Sequence, residues 1–104
     1  MARWTDAQID AALAARDGWT RRDDAIHKVF TFGDFPEAVR FVAALVAPAE
    51  AADHHPDLEI HYRRVTVSYT THALGGLTAQ DFAGARDADA AAEQVRRDAG
   101  GGAP

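Results

Sequence analysis

The sequence has no cysteine, no excess of basic residues and no long apolar run. Without thiols the chain can form neither a disulfide scaffold, nor a thiolate nucleophile, nor a cysteine-ligated zinc site. Its formal net charge of -5 argues against a broad basic surface for nucleic acid. No apolar run approaches the roughly 20 residues of a membrane span, and residues 1–6 lack an apolar signal core. We therefore expect a cytoplasmic protein with no nucleic-acid or membrane partner.

The 104 residues, 47% of them hydrophobic, are enough for one small globular domain. We assign this domain to residues 1–96 and predict a disordered tail at 97–104. A domain of this size buries a limited core and is often helped by oligomerisation.

Helix caps and alternating apolar residues divide the domain into seven elements. Thr5 with Gln8, and Thr78 with Asp81, have the spacing of capping boxes, and Asp34 can cap a further helix. The predicted elements are a helix at 6–16, strands at 19–22 and 25–32, a helix from 35 that ends at Pro48 or continues kinked to about 53, two strands within 58–72 with a break near 61–63, and a helix from 79 to about 95. The order αββαββα predicts an α+β domain with an antiparallel sheet and helices grouped on one face.

Two stretches indicate which faces are buried. Val65, Val67 and Tyr69 alternate with polar residues, so they should face the core. The helix around residues 38–46 is apolar over more than one stripe, which is typical of a helix that packs on two sides. We expect one side to lie on the sheet and the other against a partner subunit.

Four of the five histidines, His54, His55, His61 and His72, lie in one segment, and only His27 lies elsewhere. Imidazole titrates near neutrality, so two or three rings around one cleft can protonate a leaving hydroxyl and remove a nearby proton. A strand pair can bring His72 back to the helix end that carries His54. His61 is expected to be solvated and His27 to lie on a strand face. The sequence has no glycine-rich phosphate loop and no nucleophile elbow.

The histidines belong to a longer pattern with fixed spacings, Glu50-x3-His54-His55-Pro56-x5-Tyr62-x9-His72-x8-Asp81. This pattern resembles the signature of the pterin-4a-carbinolamine dehydratases. The flanking stretches are similar too, among them Trp19 before a strand, the Phe30/Phe32 strand and residues 70–78. The resemblance covers roughly residues 4–95, and so many fixed spacings make it specific.

The resemblance implies a fold and a reaction. The fold is a four-stranded antiparallel sheet with three helices, assembled as a homodimer or homotetramer. The reaction removes water from a 4a-hydroxytetrahydropterin, which aromatic amino acid hydroxylases release, and gives quinonoid dihydropterin. No metal and no organic cofactor take part.

The resemblance also implies roles for single residues. By position, the catalytic histidines are His54 and His72 as acid/base pair and His55, which mainly holds the pterin; the binding or supporting residues are Glu50, Asp53, Pro56, Tyr62 and Asp81. Glu50 and Asp53 would orient the histidines. One departure is Leu58, because many relatives have an aromatic residue two places after the proline. If that ring packs on the pterin, binding here is weakened.

Other interpretations of the same residues stay open. The capping box alone accounts for Asp81, Glu50 and Asp53 are also typical charges of an exposed helix end, and Tyr62 also fits a packing role. Imidazoles suit zinc, copper or nickel, although the adjacent His54 and His55 should point in different directions. A non-enzymatic interaction module is the second rival, because animal members of this family also act as dimerisation partners of a homeodomain transcription activator.

Overall fold

The computed structural model describes residues 2–101, and the element bounds below refer to them. The elements in chain order are α1 (Asp6–Ala14), β1 (Thr20–Arg22), β2 (Ala25–Thr31), α2 (Phe35–Ala44), α3 (Val46–Ala52), β3 (Asp57–His61), β4 (Arg64–Tyr69), a 3-10 helix (His72–Leu74) and α4 (Ala79–Gly101). The predicted capping boxes are present at Thr5, whose hydroxyl accepts from Gln8 N, and at Thr78. No helix within residues 2–101 has both the length and the hydropathy of a bilayer span.

The four strands form one antiparallel sheet in the order β1-β2-β4-β3. Val65, Val67 and Tyr69 of β4 are buried, as predicted, because successive residues of a strand alternate between the two faces of a sheet. The helices cover this apolar face, and Thr66 and Ser68 lie on the opposite one. The predicted α+β class is confirmed, with β1 and β3 as the two edge strands.

The core lies between the sheet and helices α2 and α4. Phe41 of α2 packs against Phe30 and Phe32, with ring centroids 4.8 and 4.9 Å apart. Burial of each such ring contributes about 1.5–3 kcal/mol relative to exposure. On the α4 side the contacts are made by Ala85 and Ala88, both fully buried, so that the helix backbone lies close to the sheet.

The second predicted helix is split into α2 and α3 at Leu45. The break precedes Pro48 because proline has no N–H to donate to the carbonyl of Ala44, and its ring clashes with that carbonyl. The chain tightens there, and Leu45 N donates to Val42 O at 3.1 Å. Of the two alternatives at Pro48, continuation to Ala52 is the one observed, and α3 ends before Asp53 as predicted.

The predicted helix end near Val95 is wrong, because α4 continues to Gly101. Alanine-rich sequence with no earlier terminator favours continuation, and Arg97 pairs with Glu93 at 2.9 Å on the exposed side. Residues 97–101 of the predicted disordered tail are therefore helical, and residues 102–104 lie outside the described residues. At the other end of the chain, α1 ends at Ala14 rather than at 16.

Candidate active site

At the end of α3, the side chains of two adjacent histidines point in opposite directions. Asp53 adopts a left-handed conformation with φ of 48°, which stops the helix, and His54 N donates to Ala49 O at 3.1 Å. Pro56 restricts His55 to extended conformations. As a result the His54 side chain is only 11% exposed, whereas that of His55 is 55% exposed. The predicted divergence of the two rings is confirmed.

His54 is bonded to a carboxylate that has no contact with solvent. Its Nε2 lies 2.7 Å from Oδ1 of Asp81, and Asp81 is 0% exposed. The other carboxylate oxygen, Oδ2, accepts from the backbone N–H of Thr78 at 2.9 Å and from the hydroxyl of Thr71 at 2.8 Å. Asp81 thus closes the capping box of α4 and holds His54 at the same time, so the two roles foreseen for it coexist.

The donors around Asp81 determine which nitrogen of His54 carries the proton. Two hydrogen bonds to Oδ2 stabilise the ionised carboxylate. An ionised carboxylate only accepts hydrogen bonds, so the proton of a neutral His54 lies on Nε2. The lone pair of the ring is then on Nδ1, the nitrogen that faces away from Asp81. A carboxylate that fixes a histidine tautomer in this way also stabilises the imidazolium that forms when the ring accepts a second proton.

An aromatic side chain forms a further wall beside His54. The ring of Tyr69 is nearly parallel to the imidazole, at 15° with centroids 6.1 Å apart. Gly84 of α4 gives this ring its place, because a Cβ on Gly84 would lie 2.6 Å from Tyr69 Cε1. Burial, and to a smaller degree the charge of Asp87, raises the pKa of Tyr69 to about 12. Tyr69 is therefore a neutral phenol near pH 7.

His55 lines a second cleft, and Ala49 lines both this cleft and the one beside His54. Its Nε2 is hydrogen-bonded to Oε2 of Glu50, so Glu50 is placed to orient it, in line with its predicted role. Pro56 and Leu58 line the same cleft with His55, and the rest of its wall is the apolar side of α2 and α3. Leu58, where many relatives have an aromatic residue, therefore presents an aliphatic surface next to His55.

His72 directly follows Thr71, the residue that contacts Asp81. Thr71, whose hydroxyl donates to Asp81, pairs with Gly76 in an isolated bridge that closes the 72–75 loop. His72 is exposed and begins the 3-10 helix. His54 and His72 are thus carried by two segments that Asp81 and Thr71 join.

Two of the predicted supporting residues, Tyr62 and Asp53, have no hydrogen bond to a histidine within residues 2–101. Tyr62 is 68% exposed and has φ of 55° in the β3–β4 turn. Because β3 runs away from the His54 end for five residues, it separates Tyr62 from that end by roughly 17 Å. Asp53 caps α3. His61 is exposed, and His27 bonds Thr20 on the open face of the sheet at 3.2 Å.

Sequence reasoning gave no role to Thr71, Tyr69 beyond the core, or Gly84. A glycine inside an alanine-rich helix was the signal for Gly84, since it costs about 1 kcal/mol relative to alanine and implies close packing. Thr71 had no comparable signal, because its contact with Asp81 depends on how the strand end meets α4. Within the described residues, no three His, Asp or Glu side chains converge as a set of metal ligands.

Comparison with known proteins gives one consistent family. The family model described as Pterin 4 alpha carbinolamine dehydratase matches residues 2–91. A Picosynechococcus sp. protein, named as a candidate pterin-4-alpha-carbinolamine dehydratase, is 54% identical over 80 residues, which are 77% of this chain and 87% of that protein. A protein of the same name from Mycobacteroides abscessus is 44% identical over 89 residues, 86% of this chain and 95% of that one.

Two solved structures are similar in fold. A Brucella melitensis protein described as a transcriptional coactivator/pterin dehydratase has a TM-score of 0.83 and 40% identity, and the match covers 86% of this chain and 98% of that one. A pterin dehydratase-like protein described as a RuBisCO assembly factor of the alpha-carboxysome has a TM-score of 0.59 at 24% identity, over 71% of this chain and 86% of that one. At that identity the second match supports the fold alone.

Proposed function

Since this chain belongs to the pterin-4a-carbinolamine dehydratase family, we propose that it converts 4a-hydroxytetrahydropterin to quinonoid dihydropterin and water, in the recycling of tetrahydropterin. The observation that carries the proposal is the buried Asp81 carboxylate bonded to His54, with His72 on the adjoining segment. We also propose that the reaction takes place in the cytoplasm.

In the proposed reaction two histidines move two protons. His72, exposed and able to exchange with solvent, is the acid: its imidazolium protonates the 4a-hydroxyl as the C4a–O bond breaks, and water leaves. His54 is the base: its Nδ1 removes the proton from N5, and the N5 electrons form the N5=C4a double bond. Asp81 stabilises the resulting His54 imidazolium. Solvent returns the proton from His54 to His72, so the cycle consumes no proton and needs no metal or organic cofactor.

The remaining predicted residues have binding roles in this proposal. Glu50 holds the His55 ring against the Pro56 side of the cleft, where it would contact the pterin edge. Leu58 gives this side of the cleft a less favourable surface for a flat ring than an aromatic residue, which predicts a weakened affinity rather than a slower chemical step. Leu58→Trp should accordingly lower KM and leave kcat unchanged.

The test is the rate of 4a-hydroxytetrahydropterin dehydration by the wild type, His54→Ala, His72→Ala and a matched control, His61→Ala. His61 is an exposed histidine outside the His54 cluster. Loss of a general acid or base lowers the rate by about 10²–10⁴-fold, so we expect this loss in the first two variants and not in the control. Full activity in the presence of EDTA is also expected. A folded wild type that does not accelerate the reaction over buffer contradicts the proposal.

We also propose that the protein is a homodimer or homotetramer. Support comes from an apolar patch on α2 outside the His55 cleft, made by the exposed side chains of Phe35 and Val39. Large exposed apolar patches are typical of interaction sites. Light scattering after gel filtration tests the proposal with Val39→Asp, which should shift the protein towards the monomer. The control is Val29→Asp on the other face of the sheet, where Val29 is 52% exposed.

A non-enzymatic interaction module is the second candidate. It is favoured by the same apolar patch and by the Brucella melitensis relative, which is described as a transcriptional coactivator as well as a pterin dehydratase. The two candidates separate in the rate measurement. A folded, self-associating wild type without turnover, together with a specific protein captured through the patch and lost in Val39→Asp, would favour the module.

A further inference from the structure

The hydroxyl of Thr71 lies at the centre of a buried hydrogen-bond chain. Thr71 Oγ1 is 2.8 Å from Asp81 Oδ2 and 2.9 Å from Thr78 Oγ1. Thr78 Oγ1 in turn accepts from the backbone N–H of Gln80 at 3.2 Å. Thr71 is 8% exposed, and Thr78 and Asp81 are fully buried, so water does not compete for these bonds.

The number of available protons fixes which group donates and which accepts in each of these hydrogen bonds. A hydroxyl has one proton, and Asp81 as a carboxylate can only accept, so the proton of Thr71 is used on Asp81. Thr71 must then accept from the Thr78 hydroxyl. The order is therefore Gln80 N–H to Thr78, Thr78 O–H to Thr71, and Thr71 O–H to Asp81. Hydrogen bonds in such chains polarise one another and strengthen the last one.

The last hydrogen bond of this series, from Thr71 to Asp81, determines which carboxylate oxygen of Asp81 is available to His54. Thr71 and the backbone N–H of Thr78 occupy Oδ2, which leaves Oδ1 for His54 Nε2 at 2.7 Å. Without the Thr71 donor, the ionised carboxylate loses one of its two bonds at Oδ2. Asp81 is then held less firmly, and the opposite tautomer of His54, with Nδ1 protonated, becomes more favourable.

We propose that Thr71 is a positioning residue for the reaction: through Asp81 its hydroxyl keeps the His54 proton on Nε2 and leaves Nδ1 free as the base. The same residue places the other histidine through its backbone. Thr71 O accepts from Leu74 N at 3.1 Å, and Thr71 N donates to Gly76 O at 3.2 Å, which shapes the loop that carries His72. The role in catalysis rests on the proposed dehydratase function, whereas the effect on the His54 tautomer does not.

The experiment compares two pairs of side chains that differ by the hydroxyl, Thr71 with Thr71→Val and Thr71→Ser with Thr71→Ala. In each pair the second member removes the donor at nearly constant shape. Thr66→Val, on the open face of β4, is the control for the substitution itself. Each protein is measured for kcat and KM, for the ¹⁵N shifts of the His54 ring, which report the tautomer, and for unfolding by urea.

We expect Thr71→Val to lower kcat about tenfold, which corresponds to one hydrogen bond to a charged group, with KM unchanged and a mixture of His54 tautomers. Thr71→Ser should keep the Nε2–H tautomer and most of kcat, and Thr66→Val should behave as the wild type. If Thr71→Val does not fold, the Ser/Ala pair decides by the same criteria.

The inference would be overturned if the two members of a pair, one with the hydroxyl and one without it, had equal kcat and equal populations of the His54 tautomers. A purely structural role for Thr71 would change urea stability while leaving the His54 ring shifts alone, and that result overturns it too. If the wild type has no dehydratase turnover, the ring shifts alone give the answer, so a failure of the proposed function is distinguished from a failure of this inference.

Discussion

Two aspartates of the same helix, Asp81 and Asp89, lie about two turns apart on α4 and have contrasting surroundings. Asp89 is surrounded by cations: Lys28 Nζ is 2.7 Å and Arg16 Nη1 is 3.2 Å from its oxygens, and Trp19 Nε1 donates to it at 3.1 Å. Asp81 is more deeply buried, and within residues 2–101 it has no lysine or arginine partner. Its donors are a hydroxyl, a backbone N–H and an imidazole.

The difference explains how one residue type has two roles. Lysine and arginine are permanently charged near pH 7, so they neutralise Asp89 and make it a fixed joint between α4 and the β1–β2 region. Imidazole changes its charge near neutrality, so the charge of Asp81 is matched only when His54 is protonated. The two carboxylates therefore differ in the partners that surround them: permanent cations at Asp89, and a titratable ring at Asp81.

The largest effect is expected for Asp81→Asn. An amide cannot stabilise the His54 imidazolium and can hold the ring in the wrong tautomer, so kcat should fall by about 10²–10⁴-fold. The comparison variant is Asp89→Asn, which should keep wild-type kcat at a temperature where it is folded. Wild-type turnover by Asp81→Asn would show that the different partners of the two carboxylates have no effect on catalysis.

For Asp89 we expect the effect in the free energy of unfolding and not in kcat. Asp89→Asn leaves Lys28 and Arg16 close together without their shared anion, and we expect a loss of about 2 kcal/mol in the free energy of unfolding. Asp98→Asn, on an exposed part of the same helix, should change it by less than about 0.5 kcal/mol. Urea titration of both variants makes the measurement, and similar losses for the two would be incompatible with a joint at Asp89.

Gly84 lies between the two aspartates and allows a smaller test. Gly84→Ala gains helix propensity of about 1 kcal/mol but forces Tyr69 to move, which costs about 1–3 kcal/mol, so the net change should be a destabilisation of about 1 kcal/mol. Gly100→Ala has free space at its Cβ and should be neutral or stabilising. We also expect a changed His54 ring shift in the first variant alone; a stabilised Gly84→Ala would rule out the close packing.

A further effect is expected at alkaline pH. Burial raises the pKa of Tyr69 from 10.0 to about 12. The unfolded chain therefore releases this proton at lower pH than the folded one, so the stabilisation is complete below pH 10 and is lost as pH rises towards 12. Between those values the free energy of unfolding should fall more steeply in the wild type than in Tyr69→Phe. Parallel pH dependences in urea titrations would exclude Tyr69 as the group responsible.

The parts of the fold that the sequence predicted are those encoded by near neighbours. Capping at Thr5 and Thr78, and the alternation in β4, depend on residues a few positions apart, and all three are confirmed. The end of α4 was missed because the exposed pairs that extend it contribute little individually and give no strong pattern. The family pattern named His54 and Asp81 as site residues, but no local pattern indicates Thr71 as the third member, since three separate segments meet there.

The divergence of His54 and His55 has a consequence for insertions and deletions in this chain. Neighbouring side chains of an extended segment point to opposite sides, so a shift of one residue between Asp53 and the start of β3 would present His55 to Asp81 and turn His54 towards Glu50. The number of residues between α3 and β3 thus determines which of the two imidazoles is buried.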